Sequence, residues 1–296
     1  MSAGPLAAPL SRRAAIAAGL AAAAPGLLSR RAGARATPVA GARKVSVALD
    51  WYPNSNHAGL FLAKERGWFA EEGLDVDLYT PADPTTVLQT VGAGKDAFGI
   101  SYQTDVLLAR AQAIPVVSVA AISQVPLQGI MVLESSGIAR PADLEGKTVG
   151  YPGIPSQEAF LSSMLANDNL TMSDVDLVNV GFDLTPALVS GRADAALGAF
   201  WTHETIVAER AGYPVGMLRV EDFGVPSYYE LVLVASETTV ASDPDFIRRF
   251  LSAAARGYAA AAEDPAAALD ALAAASPDLD RDVETEGIAL VIPTWT

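Results

Sequence analysis

Val45-Ser46-Val47-Ala48-Leu49, followed by Asp50-Trp51-Tyr52-Pro53-Asn54-Ser55-Asn56-His57, carries the chain from a mostly apolar run into a polar turn. The apolar run suits a strand covered on both faces. Pro53 ends it, and Asn54, Ser55 or Asn56 offers an acceptor for the free amides at the start of a helix. One carboxylate and two aromatic rings are thereby left at a strand's carboxyl end, where open α/β sheets place their ligands. Two readings stay open for this stretch: the first wall of a binding cleft made by Asp50, Trp51 and Asn54, or a turn at the rim of the core with a packed tryptophan.

Strand and helix alternate beyond this turn, which predicts parallel sheet. Apolar residues at Ala58, Phe61, Leu62, Trp68 and Phe69 fall on one helical face. Strands are expected at 74–79, 96–101 and 116–122, with helices at 84–91 and 104–113 between them. A second series follows, with strands at 147–151, 175–180 and 194–199 and helices at 157–166, 185–190 and 204–212. Gly94-Lys95-Asp96-Ala97 and Gly191-Arg192-Ala193-Asp194-Ala195 precede corresponding strands, so two similar α/β lobes are expected. Two apolar runs, Gly129-Ile130-Met131-Val132-Leu133 and Leu231-Val232-Leu233-Val234-Ala235, are read as the crossings of a two-segment hinge. The first lobe is then 44–129 plus 235–296, and the second is 130–234. Helices after Asp243 are expected to pack back on the first lobe, and the apolar end from Ile288 suggests that the sequence stops short.

The amino-terminal 36 residues stand apart. Ser11-Arg12-Arg13 precedes an apolar run at 14–28, and Ala34-Arg35-Ala36 offers small residues for cleavage. This pattern predicts an export signal of the twin-arginine type, residues 1–36, on a protein of the periplasm or extracytoplasmic space. The run is too short and too alanine-rich for a secure membrane anchor across about 30 Å. Removing it takes five arginines and no acids, which leaves 15 Lys and Arg against 34 Asp and Glu, a net charge of −19. Such acidity argues against a nucleic-acid partner. There is no cysteine, so disulfides, thiol chemistry and lipid attachment through an amino-terminal cysteine are excluded.

Strand ends collect three carboxylates (Asp50, Glu204, Glu230), five aromatics (Trp51, Tyr102, Trp201, Tyr228, Tyr229) and two amides (Asn54, Gln103). A flat, nitrogen-rich ring fits that set: aromatic faces sandwich it, and carboxylates accept from amino groups or a protonated ring nitrogen. Taken singly, each aromatic is more often core than ligand wall, and it is their clustering at successive strand ends that points to a site. Enzymatic readings fare worse. The two histidines, His57 and His203, sit near helix starts, where capping or packing is the ordinary role. No spacing supports a metal site. Gly92-Ala93-Gly94-Lys95 precedes a strand and so fails as a phosphate loop, and no nucleophile elbow or dinucleotide fingerprint occurs in context. No catalytic residue, metal or cofactor is expected.

Five blocks resemble the family of ABC-importer substrate-binding proteins for thiamine pyrimidine precursors, which also includes the pyrimidine synthases of thiamine biosynthesis. They are Leu49-Asp50-Trp51-Tyr52-Pro53-Asn54 with His57, Glu71-Glu72-Gly73-Leu74-Asp75-Val76, Gly99-Ile100-Ser101-Tyr102-Gln103, Gly146-Lys147-Thr148-Val149-Gly150-Tyr151-Pro152-Gly153, and Asp222-Phe223-Gly224-Val225-Pro226-Ser227-Tyr228-Tyr229-Glu230-Leu231. The resemblance implies a type II periplasmic binding protein, a monomer that presents a formylaminopyrimidine or hydroxymethylpyrimidine to a membrane permease for thiamine salvage. It implies that Asp50, Glu204 and Glu230 bond the amine and ring nitrogens while Trp51, Tyr102 and Tyr229 stack on the ring, and it adds His57 to the candidate site. The family's synthases differ: they carry a lysine for pyridoxal phosphate where Ser101 stands, a histidine where Asp105 stands, and a cysteine cluster where Val225-Pro226-Ser227-Tyr228-Tyr229 stands. Alternatives on the same architecture are a riboflavin or a sulfonate/nitrate-type binding protein, or such a synthase.

Overall fold

The computed structural model describes residues 41–295, so the expected export signal lies outside the described residues. The apolar run becomes β1 (Arg43–Ala48), followed by a 3-10 turn, Ser55–His57, and helices α1 (Ala58–Glu65) and α2 (Trp68–Glu71). Next come β2 (Leu74–Tyr79), α3 (Val87–Gly92), β3 (Phe98–Ser101), α4 (Gln103–Ala111) and β4 (Val116–Ser123). The second series is β5 (Gln128–Leu133), β6 (Thr148–Tyr151), α5 (Pro155–Asn167), β7 (Asp176–Asn179), α6 (Leu184–Val189), β8 (Ala195–Phe200), α7 (Glu204–Arg210) and β9 (Val215–Arg219). The chain ends with β10 (Leu231–Ser236), α8 (Glu237–Ser242), α9 (Pro244–Glu263), α10 (Pro265–Ala275) and α11 (Arg281–Val291). Among the described residues no helix is long and apolar enough to cross a membrane.

These strands form two five-stranded sheets of matching order, β2-β1-β3-β10-β4 and β7-β6-β8-β5-β9. Each is mixed instead of purely parallel. β1 pairs in parallel with β2 and β3, as β6 does with β7 and β8. One antiparallel strand is then inserted: β10 between β3 and β4, and β5 between β8 and β9. The inserted strands are the two apolar runs that the sequence suggests as crossings. Both are almost wholly buried, because five successive apolar residues need cover on both faces and neighbours for their ladder bonds. The expected boundaries at 129/130 and 234/235 therefore fall inside β5 and β10. The chain passes between the sheets one step earlier each time, through 124–127 and 224–230, short segments that contain Pro126 and Pro226. β9 escapes sequence reading, since its alternation is weak and only Val215 and Leu218 are buried.

Separate apolar clusters cover the sheets, one around Phe69, Phe98, Phe246 and Phe250 on the first and one around Leu144, Phe160, Leu161 and Met164 on the second. α9 closes the first. Phe250 stacks on Phe98 with ring centroids 4.0 Å apart and on Phe69 at 5.0 Å, so the carboxyl-terminal helices complete the core that positions β1 and β3. Phe250→Ala is expected to lower stability by about 3 to 5 kcal/mol; the urea midpoint should fall with its slope unchanged.

Candidate functional site

Four strand ends meet between the sheets, those of β1, β3, β6 and β8. They border a narrow cleft of about 310 Å³, open solvent included, lined by Asp50, Trp51, Asn54, Tyr102, Pro152, Ile154, Gly198, Phe200, His203 and Glu204. Asp50 lies just past β1 and is buried. Its Oδ1 is 2.9 Å from His57 Nε2, and its Oδ2 accepts from the Tyr102 hydroxyl at 3.1 Å. The tautomer of His57 follows from its other nitrogen. Nδ1 accepts the backbone N–H of Asn54 at 3.2 Å, so Nε2 carries the proton and donates to Asp50. Burial, with Asp50 and other carboxylates nearby, pushes the Tyr102 hydroxyl well up and keeps it a donor. Asn54 is a capping residue: its Oδ1 accepts from the backbone N–H and the side-chain amide of Asn56, both at 2.9 Å, and its Nδ2 donates to the Tyr52 carbonyl at 3.1 Å. It borders the cleft with its amide already engaged.

The facing wall comes from the second sheet. Glu204 opens α7 and bends back so that Oε2 accepts the Phe200 N–H at 2.8 Å while Oε1 lies 3.1 Å from His203 Nδ1. His203 Nε2 is 3.1 Å from Glu284 Oε1. Burial acts most strongly on His203, and lowers its pKa, but the two carboxylates together outweigh it and raise the group to about 10. It is therefore an imidazolium at neutral pH. Trp51 spans the cleft edge, its ring 4.5 Å from that of Phe182, which Tyr52 also contacts at 4.5 Å. Gly198 has φ +91°, and a Cβ there would stand 2.2 Å from Gln157 Nε2. The floor of the cleft thus needs glycine, and the buried Gln157 amide rests on it with Oε1 unpartnered.

The remaining expected residues lie elsewhere. Gln103 accepts the backbone N–H of Tyr229 at 2.7 Å, and the Tyr229 ring is 46% exposed. Trp201 donates to the Pro126 carbonyl at 3.3 Å beneath the Arg219 guanidinium. Tyr228 stacks on Phe160 and donates to Glu230 Oε2 at 2.9 Å. Glu230 is fully buried among the crossings: it accepts from the N–H groups of Leu127 (2.7 Å) and Gln128 (3.1 Å) and from Gln128 Nε2 (2.8 Å). Its oxygens are occupied by donors from the two joining segments and from Gln128 at the start of β5. Glu230, expected to bond a ring in the cleft, and Tyr228, expected in the same ligand site, lie instead among the crossings; a carboxylate buried at that depth requires fixed donors, and the crossings supply them.

Three residues beside the cleft are outside the expected set of site residues. Glu284 of α11 is one. Gln157 is another, and a third is the Asp105 carboxylate of α4, which accepts the backbone N–H of Ser156 at 3.2 Å and its hydroxyl at the first turn of α5. Burial raises Asp105 to about 6, against the Ser156 bonds that lower it. A faint signal existed for two of them. Glu284 shares a helical face with Gly287, Ile288 and Val291, and Gln157 with Phe160, Leu161 and Met164; a polar residue inside an apolar stripe demands a partner.

A family model described as NMT1/THI5 like matches residues 54–268. The chain belongs to this family. Within the NMT1/THI5-like family it is 42% identical over 252 residues to a formylaminopyrimidine-binding protein of Halalkalibacterium halodurans, covering 84% of this chain and 76% of the relative. It is 28% identical to a 4-amino-5-hydroxymethyl-2-methylpyrimidine phosphate synthase of Aspergillus parasiticus, covering 77% and 69%. The fold matches that of the alkanesulfonate-binding protein SsuA from Xanthomonas axonopodis pv. citri, with a TM-score of 0.66 and 17% identity over 83% of each chain. This NMT1/THI5-like chain accordingly has the α/β fold of the periplasmic binding proteins.

The buried carboxylate among the crossings predicts a pH signature. Burial raises Glu230 to about 7 from its ordinary 4.5, although the groups that donate to it pull the other way. Folded protein then holds this proton more tightly than unfolded protein, so the stability it contributes is complete below pH 4.5 and is lost as pH rises through 7. Glu230→Gln should abolish that part of the slope in denaturation midpoint between these pH values while leaving the cleft's affinity unchanged. Lost affinity with an unaltered slope would return Glu230 to the cleft.

Proposed function

We propose that this protein is the extracytoplasmic receptor of an ABC importer, and that its cleft captures a pyrimidine precursor of thiamine, formylaminopyrimidine or hydroxymethylpyrimidine, without transforming it. The observation that carries the reading is the pair of buried carboxylates, Asp50 and Glu204, brought from separate sheets to the walls of one small aromatic-edged cleft. Asp50 is held as an oriented acceptor by His57 and Tyr102, and Glu204 by the Phe200 amide and His203. Two opposed acceptors suit an amino group and a ring N–H on a flat heterocycle, and the rings of Tyr102 and Trp51 supply its faces. The likeness to the formylaminopyrimidine-binding protein supports the same ligand class.

The working cycle follows from the connections. Residues 124–127 and 224–230 act as the hinge, and the contact of Asp105 on α4 with Ser156 on α5 fastens the closed form. The closed monomer delivers its ligand to a permease, and residues 1–36 direct its export. A sulfonate is disfavoured, since no lysine or arginine lines the cleft and His203 is committed to two carboxylates.

Pyridoxal phosphate does not fit the residues present. No lysine lines the cleft, and Ser101, at the position where the family resemblance puts one, is buried in β3. The proposal is therefore binding and not synthesis.

Titration calorimetry with formylaminopyrimidine, hydroxymethylpyrimidine, thiamine and riboflavin tests the reading. Micromolar binding of a pyrimidine corresponds to about 8 kcal/mol. Asp50→Asn should weaken it by about 1.5 to 3 kcal/mol. Saturable heat from riboflavin alone, or an internal-aldimine absorbance band with pyridoxal phosphate, would overturn it.

A further inference from the structure

Helix α11 touches both walls of the cleft through one side chain. Glu284, 2% exposed, receives on Oε2 the backbone N–H of Ser55 at 2.5 Å and its hydroxyl at 2.8 Å, in the turn after β1. Its Oε1 lies 3.1 Å from His203 Nε2, in the turn after β8. The helix is seated tightly at this point. A Cβ on Gly287 would stand 2.7 Å from Ser55 Oγ and 2.8 Å from the Thr202 carbonyl oxygen. Arg210 of α7 adds outer ion pairs to Asp282 (2.7 Å) and Glu286 (2.6 Å). A continuous chain thus runs from Ser55 through Glu284, His203 and Glu204 to the Phe200 amide.

An imidazole between two carboxylates satisfies both only when each ring nitrogen carries a proton. We propose that Glu284 is a positioning residue of the cleft: it holds His203 doubly protonated and fixed in plane, so that Glu204 meets the ligand as an oriented member of an ion pair and not as a free carboxylate. The Ser55 anchor makes this arrangement depend on the two walls being together. The proposal rests on the cleft being the ligand site. The charged groups around His203 are Glu204 on its own turn and Glu284 on α11, with Asp50 across the cleft beside His57, and Arg210, Asp282 and Glu286 at the outer edge. Against the burial that would discharge it, the two nearest carboxylates hold His203 at about 10.

Histidine-selective NMR titration of the ligand-free protein is the decisive experiment, because the chain has two histidines, His57 and His203. His203 should stay charged from about pH 6 to about pH 9, beyond the ordinary titration near 6.5. In Glu284→Gln it should titrate inside that window. Formylaminopyrimidine affinity should then fall about tenfold at pH 8 and much less at pH 6, as the lost charge-assisted bond requires. Glu284→Asp should restore part of both, and Arg210→Gln, which removes only the outer pairs, should change neither. Wild-type His203 titrating near 6.5, or a Glu284→Gln variant with His203 still charged, would overturn the proposal. So would an affinity loss equal at every pH, the mark of a merely structural role. If no pyrimidine binds the wild type, the ligand reading fails while the titration still decides the role of Glu284.

Discussion

A buried carboxylate at the crossing of two chain segments is the constraint on which this structure depends. Glu230 accepts from the backbone at Leu127 and Gln128 and from the side chains of Gln128 and Tyr228. These donors lie in the joining segments or, for Gln128, at the first residue of β5, so the relative placement of the segments is fixed where the sheets diverge. A hydrophobic contact there would tolerate sliding; a carboxylate with four directed bonds does not. Each crossing then feeds an antiparallel strand into the interior of the sheet it enters, β5 next to the edge strand β9 and β10 next to the edge strand β4. The two sheets are therefore mutually registered through interior strands of their own, β5 and β10.

That registration brings the carboxyl ends of β1, β3, β6 and β8 to one place. The cleft is acidic, yet neither of its carboxylates is left without partners. Asp50 has a neutral histidine and a tyrosine, and Glu204 has a backbone amide and an imidazolium. Different partners give the two walls different character. The first wall presents a carboxylate bonded by a histidine ring and a tyrosine hydroxyl, whereas the second presents one paired with His203. A ligand with donors on two sides meets acceptors already oriented, so little ordering remains at binding. Gly198 contributes by what it lacks, since its positive φ and the overlying Gln157 amide leave no room for a side chain on the floor.

Membership of the NMT1/THI5-like family brings together binding proteins and synthases on one fold, so residues must separate the roles. Ser101 lies buried within β3 and cannot supply an amine, and Asp105 is engaged with Ser156 in joining α4 to α5. The positions that resemblance links to chemistry in the synthases are taken up in this chain by a buried strand residue and by the contact between α4 and α5. The proposal that it binds without catalysis rests on those two positions and on the absence of lysine from the cleft lining.

The sequence by itself determined the alternation of strands and helices, the duplication, and the near wall of the cleft. β2 forms where 74–79 predicts it, and Asp50, Trp51, Tyr102 and Glu204 all reach the cleft from strand ends. Periodicity and turn chemistry are local, and they survive folding because the core reinforces them. Tertiary structure alone decided that the two apolar runs read as crossings are interior antiparallel strands, that Glu230 fastens the crossings, and that Glu284, some 230 residues from Ser55, reaches His203 behind the cleft. The partner of a buried charge is chosen by three-dimensional packing, and local pattern shows only that a partner is required.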